Sequence, residues 1–377
     1  MRTGPDARTM ADGREAPGRN LLFLNGKFYS GGINGVHRVA DRLLRELDAL
    51  AVEGGSPARW DMRLLAPARR SWTPDFARIR TVPQRLGHTQ FWEQGLLPLA
   101  ARGGVLASFA NLAPALHPCK LTMVHDAQFL LSRESYAARR RLGYRALIPA
   151  GARTSSTVLT VSDYARDSLA TFGISAPERT VVVHNGADHI LETEADPGAL
   201  AARGLCPGGY CLLFGSAARY KNLAIVFEAF RDAPDLPPLV VVGPDRAALA
   251  ALRPPASALF LGGVDDAALR ALYEAACCLL FPSRTEGFGL PPVEAMLCGC
   301  PVVAAPAGAV PEICRDAISY AGMDDAADWA ARVRDFRDNV ALRATKIAAG
   351  RARAAAFTWR AAGLRLARAL EPLVEGR

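Results

Sequence analysis

Cys277–Glu312 reads CCLLFPSRTEGFGLPPVEAMLCGCPVVAAPAGAVPE. The apolar run Cys277–Phe281 has the length and composition of a strand buried on both faces. A loop, Pro282–Leu290, follows, with Gly287 and Gly289 on either side of Phe288. Pro291 and Pro292 fit only the first turn of a helix, where a missing N–H costs nothing. That helix carries Val293–Cys298 and ends at Gly299, a residue suited to the left-handed C′ position. Pro301–Ala305 reads as the next parallel strand. The stretch is therefore a βαβ unit with a glycine loop at the carboxyl end of its first strand, which sets an α/β class for the chain.

In doubly wound sheets, ligands bind beyond the carboxyl ends of the strands. Glycines let the backbone approach a ligand, and the N–H groups that follow favour an anion. Glu286 lies in the loop and Glu294 in the first turns of the helix. A carboxylate accepts from two adjacent hydroxyls, so each suits a vicinal diol. A phosphate cradle flanked by two diol readers describes a nucleotide-sugar site. A plain phosphate loop with two solvated carboxylates is the alternative, since short glycine loops are weak signals.

The spacing E-x7-E, from Glu286 through Gly287, Phe288, Gly289 and Leu290 to Glu294, resembles the signature of the family 4 retaining glycosyltransferases of GT-B fold. Gly299–Glu312 resembles the same family's G-x-P-V-V…P-E segment. The resemblance implies two Rossmann-like domains facing across a cleft, with a closing helix returning to the first. It implies that Glu286 meets the donor sugar, that Glu294 meets the ribose, and that the amides of the loop contact sugar and diphosphate. The donor would be a nucleoside diphosphate sugar, with GDP-mannose favoured from likeness to bacterial mannosyltransferases, and no separate cofactor.

Bulk properties fit this reading. The chain has 377 residues, half of them apolar, enough for two domains. A net charge of +8 suits diphosphate substrates or an anionic membrane surface. Nucleic acid is excluded as a partner by the lack of zinc-finger spacing, RNP-like aromatics or long basic runs. The eight cysteines form no C-x-x-C pair and read as buried free thiols in a reducing compartment. Residues 1–19 read as a disordered tail rather than a signal peptide. No apolar run is long enough to span a bilayer, so a cytoplasmic protein is expected.

From the N-terminus, Leu21–Leu24 reads as a strand and Val36–Leu50 as an amphipathic helix, joined by a loop with Gly31, Gly32 and Gly35. These residues with Val36 and Arg38 resemble the family's GG…G-V-x-R opening, which implies that Gly32 and Gly35 face the donor diphosphate. Short strands are expected near Met62–Leu65, Ile79–Val82, Gly104–Ser108 and Leu121–Val124; residues 51–100 otherwise carry little signal. His125-Asp126, at a strand end, resembles the family's H-D segment, which implies a His beside the donor sugar. Arg133–Arg153 holds six Arg against Glu134 alone, interleaved with Leu142, Tyr144, Leu147 and Ile148. Such a helix suits an anionic lipid surface or a solvated face equally.

Thr157–Val161 and Thr180–Val183 complete the first domain, 20–190. His184–Asp188 resembles the segment preceding the family's interdomain linker, here 191–209. The second domain, 210–358, opens with Tyr210–Phe214, then Gly215 and, six residues on, Lys221 at a helix start. This resembles the family's G-x5-K-N segment and sets a cation over the phosphates. Ser216 stands where many members carry Arg, and Arg219 is the substitute expected to supply that charge. A last helix, Arg360–Val374, is expected to be capped by Thr358.

The reading is a retaining, metal-independent hexosyltransferase acting on a glycan or polyprenyl-diphosphate-linked acceptor of envelope polysaccharide assembly. No D-x-D occurs to seat a metal; His125, Glu286, Lys221 and Arg219 would carry the chemistry. A sugar-nucleotide epimerase of the same fold and a non-catalytic nucleotide-sugar scaffold are the rivals.

Overall fold

The computed structural model describes residues 20–376, apart from 33, 73, 136 and 137 and the side chains of 133 and 138–140. The expectation of a disordered tail over residues 1–19 falls outside that range.

Among the described residues thirteen strands form two sheets, parallel at every pairing. The first contains β1 (Leu21–Asn25), β2 (Asp61–Pro67), β3 (Arg80–Gln84), β4 (Val105–Ser108), β5 (Lys120–Met123), β6 (Thr157–Thr160) and β7 (Thr180–Val182), in the order 3-2-1-4-5-6-7. The second contains β8 (Cys211–Phe214), β9 (Leu239–Val242), β10 (Leu259–Gly262), β11 (Cys278–Phe281), β12 (Val302–Ala304) and β13 (Ser319–Tyr320), in the order 10-9-8-11-12-13. Strand order reverses at β1/β4 in the first sheet and at β8/β11 in the second. These switch points are where open α/β sheets place ligands.

The first helix, Gly35–Val52, starts where the Asn34 side chain accepts from the His37 N–H at 3.0 Å. Val39, Leu43 and Leu47, with Ala40, Leu44 and Ala51, form its buried stripe at helical spacing. Against it packs the closing helix, Trp359–Glu375. The approach is close: a Cβ on Gly363 would lie 2.4 Å from Glu46 Cβ. Thr358 caps the closing helix through the Ala361 N–H at 3.1 Å. The chain entering it is pinned to the end of the first domain, Ala187 N–H donating to Phe357 O and Trp359 N–H to Asp188 Oδ1. A Cβ on Gly186 would sit 2.2 Å from Trp359 N, so only glycine permits this crossing.

The segment between the domains is packed rather than loose. Ala199 is buried against Ala268 and Ala271 of the helix Asp266–Ala275, and Arg270 donates to the carbonyls of Leu191 and Thr193. Among the cysteines the expectation of burial holds for Cys211, Cys277, Cys278, Cys298, Cys300 and Cys314, but Cys206 is exposed and Cys119 half-buried. Burial pushes the Cys298 and Cys314 thiols up to about 12, which leaves them unreactive.

Candidate active site

A cleft of about 510 Å³ lies between the two sheets' carboxyl edges. From the first domain it is lined by Gly35, Val36, Arg38, Asn111, His125 and Asp126. From the second come Tyr220, Lys221 and the loop from Glu286 to Pro291, with Glu294 behind.

The loop's shape follows from three glycines. Gly287 passes so near the first domain that a Cβ would meet Asp126 Cβ and His125 O, each at 2.9 Å. Gly289 takes φ +92° as the residue before the helix Leu290–Leu297. Gly308, at φ +61°, lies under the loop, where a Cβ would stand 2.4 Å from Glu286 N. Hydrogen bonds then fix the loop across the domain boundary. Ser162 Oγ donates to Gly287 O at 2.6 Å, and Gln128 Nε2 to Thr285 O at 2.7 Å. Further back, the Glu312 carboxylate accepts from the Asp163 and Tyr164 N–H groups, both at 2.9 Å.

Lys221 Nζ lies 2.7 Å from Glu286 Oε1 and within 6 Å of the Tyr220 and Phe281 rings. The cation is thus fixed at the cleft wall before any substrate arrives. Asp126 stands nearby. Burial, with the Glu286 charge adding to it and Lys221 opposing it, pushes its carboxyl up to about 6. His125 is buried; its Nε2 donates to Phe109 O at 2.8 Å, and desolvation drives the imidazole down to about 4. It is therefore neutral at pH 7, with Nδ1 unprotonated. The Asn111 side chain, on a backbone at φ +66°, accepts from the His125 N–H at 2.8 Å and fixes that turn.

Glu294 is almost wholly buried and is held by two donors. Tyr273 OH reaches Oε2 at 3.1 Å, and His189 Nε2 lies 3.2 Å from Oε1. Trp359 Nε1–H donates to His189 Nδ1 at 3.1 Å, which places the imidazole proton on Nε2 and points it at Glu294. The closing helix thereby orients a carboxylate of the cleft. Arg38 approaches from the other domain, its guanidinium forked onto Asp266 at 2.7 and 3.0 Å.

Of the residues expected from sequence, the fold gathers His125, Lys221, Glu286, Glu294, Gly35, Gly287, Phe288, Gly289 and Leu290 at one cleft. It does not bring Arg219, Gly32 or Gly215 there. Arg219 is exposed on the turn Arg219–Lys221, outside the cleft lining. Its side chain is thus not among those that line the cleft, where the charge missing at Ser216 was expected. Gly32 O accepts from His37 Nδ1, and Gly215 is crowded by Val241 and Pro244, where a Cβ would meet them at 3.0 and 3.1 Å. Phe288 packs edge-on against Phe357 at 5.5 Å, so it anchors the loop as well as lining the cleft. His189, Tyr273 and Trp359 were not anticipated; only the nearness of His189 to the His184–Asp188 segment hinted at one of them.

Residues 209–353 match the family model Glycosyl transferases group 1. They form a glycosyl transferases group 1 domain. Over 297 residues the chain is 29% identical to a D-inositol 3-phosphate glycosyltransferase of Mycolicibacterium vanbaalenii, covering 72% of this chain and 63% of that one. It is 26% identical over 225 residues to the O-antigen chain mannosyltransferase RfbU of Salmonella typhimurium, covering 56% of this chain and 59% of that one. The chain thus spans less than two thirds of the length of these relatives. Among solved structures, sucrose-phosphate synthase from Thermosynechococcus elongatus superposes with a TM-score of 0.72 at 18% identity, over 95% of this chain and 99% of that one. Anabaena Alr3699/HepE, solved with UDP-glucose, gives 0.68 at 21% identity, over 93% and 99%. The architecture is that of the GT-B glycosyltransferases.

Proposed function

We propose that the protein transfers a hexosyl group, mannosyl favoured, from a nucleoside diphosphate sugar to a glycan or lipid-linked glycan hydroxyl with retention of anomeric configuration. The observation that carries the reading is the convergence of Lys221 paired to Glu286, the pre-oriented Glu294 and the neutral His125 on one interdomain cleft. Glu294 has lone pairs left for a ribose diol after its two donors. Lys221 and the N–H groups of the loop Gly287–Leu290 face developing negative charge on the departing diphosphate; Pro291 and Pro292 have none to offer. Fixed donors of this kind contribute about 3–4 kcal/mol each to the transition state. HepE, solved with UDP-glucose, supports a nucleotide-sugar donor, and the O-antigen mannosyltransferase relatives support the sugar and an envelope role. With Arg219 outside the cleft, Lys221 is the cation assigned to the leaving group.

Association with an anionic membrane would rest on the helix Ala138–Arg153. Ile148 is buried in the first domain's core and Tyr144 lines the cleft, so neither inserts into lipid as the sequence pattern implied. Leu142, exposed, is left for that role, and attraction would come from charge. The side chains of Arg133, Arg139 and Arg140 lie outside the described residues. Among the described residues no helix is long and apolar enough to cross a membrane.

The test is incubation with a panel of UDP- and GDP-hexoses and glycan acceptors, with EDTA present, and NMR of the product. A new glycoside with the donor's anomeric configuration is expected, at a rate unchanged by chelation. Sugar isomerisation without acceptor would identify an epimerase. Donor binding without turnover would identify a scaffold.

A further inference from the structure

A second cavity, of about 190 Å³, adjoins the cleft and shares His37, Ala110 and Tyr144 with it. It opens at the carboxyl end of β1, on the first domain's side of the switch point. Asn25, the last residue of β1, and Lys27 supply one side. Glu93 supplies the other, from a single wide helical turn, Trp92–Leu96, of the kind often found at functional sites.

These three side chains hold one another. Glu93 is 2% exposed; its Oε1 accepts from Asn25 Nδ2 at 2.9 Å and its Oε2 from Lys27 Nζ at 2.8 Å. Asn25 Nδ2 also reaches Ser108 Oγ at 3.2 Å, and Asn25 Oδ1 accepts from the Lys27 N–H at 3.2 Å. A buried ion pair is often no more stable than apolar residues of the same volume, so stability alone gives it little reason to stand at a cavity wall. Lys27 is the one Lys or Arg among the described lining residues and Glu93 the one carboxylate, so their formal charges cancel. Phe28 and Leu112 add apolar wall, and Ser30 and Gln90 neutral polar groups.

We propose that this cavity is the acceptor subsite and that the Lys27–Glu93 pair selects an uncharged, polyhydroxylated sugar ring over a phosphorylated one; this rests on the transferase reading above. Each carboxylate oxygen of Glu93 keeps a lone pair free after its one donor, and Lys27 has further N–H groups. Hydroxyls of a neutral ring can donate to the first and accept from the second. A phosphomonoester brings a charge of −1.5 to −2 and needs an unmatched cation. Here the cation is already bound to a carboxylate that repels the phosphate.

The experiment uses the full chain with a saturating nucleotide sugar from the panel above. Transfer is measured to methyl α-mannoside, methyl α-glucoside and myo-inositol, against mannose 6-phosphate, glucose 6-phosphate and inositol 3-phosphate. Wild type should use the best neutral acceptor at least about tenfold better, in kcat/KM, than any phosphorylated one. Glu93→Gln leaves Lys27 unmatched and should shift that ratio toward the phosphorylated acceptors by about tenfold, with donor Kd within about twofold of wild type. Lys27→Met should lose neutral-acceptor use without gaining phosphorylated-acceptor use. A wild-type preference for a phosphorylated acceptor, or a ratio that stays put in a folded Glu93→Gln variant, overturns the proposal while leaving the donor site standing. If no nucleotide sugar binds wild type, the transferase reading fails and this inference falls with it. Should Glu93→Gln not fold, the wild-type ratio and Lys27→Met still decide.

Discussion

The two walls of the cleft are built differently. The second domain's wall comes from one continuous stretch, in which a strand end, a glycine loop and a helix start deliver Glu286 and Glu294 together. The first domain's side, cleft and adjoining cavity together, comes from Asn25, Lys27, Glu93, Asn111 and His125, spread over four segments, and several of these are fixed by contacts with one another. A binding site whose ligand must meet backbone amides needs consecutive residues, because amides come in sequence order. One that reads hydroxyls through side chains can draw them from wherever strands end side by side. On the proposed reading, the second domain's wall holds the donor's diphosphate and the first domain's side grips the acceptor.

The sharpest way to break this contrast is Lys221→Met. It removes the cation proposed to face the diphosphate and leaves Glu286 without its partner, so kcat should fall by roughly 10²–10³. Single-turnover kinetics with saturating donor would show it, and a change below about threefold would remove Lys221 from the chemistry.

A smaller effect probes the support behind Glu294. His189→Ala should weaken donor affinity by several-fold, about 1 kcal/mol for one lost hydrogen bond, while kcat holds. If kcat falls and Kd does not, the Trp359–His189–Glu294 chain serves the reaction rather than the ribose.

Smaller again is the pH effect of Asp126, the first domain's charge nearest the glycine loop. Its carboxyl is raised to about 6, so it is charged at pH 7 and neutral at pH 5. Protonation removes a negative charge that opposes the donor's diphosphate, leaving Glu286 paired with Lys221. Donor binding should therefore tighten as pH falls from 7 to 5, by roughly fivefold for about 1 kcal/mol. In Asp126→Asn the slope should vanish. Binding that weakens over that range in wild type would mean that another group governs it.

The same contrast explains what could be read from the sequence. The strands, the Thr358 cap, the glycine loop and the placement of Lys221, Glu286 and Glu294 are local: short apolar runs, prolines at a helix start, fixed spacings. The structure reproduces those elements within a residue or two, for example Leu290–Leu297 for the helix begun by Pro291 and Pro292. Arg219 was misplaced because spacing along a turn does not tell which of two cations faces the ligand; two residues separate a lining side chain from an exposed one. His189, Tyr273 and Trp359 escaped notice because a buried hydrogen-bond chain across three segments leaves no pattern in any one of them. Glu93 escaped for a related reason. It sits beside Trp92, an ordinary core residue, in a stretch whose helical turn departs from the usual period.

The most direct test of the central claim compares Glu294→Ala and Glu286→Ala in calorimetric donor titrations and in kcat. The account predicts that wild type binds one nucleotide sugar per chain, that Glu294→Ala weakens Kd by about tenfold with little change in kcat, and that Glu286→Ala chiefly lowers kcat. Unchanged Kd and kcat in both variants would contradict it.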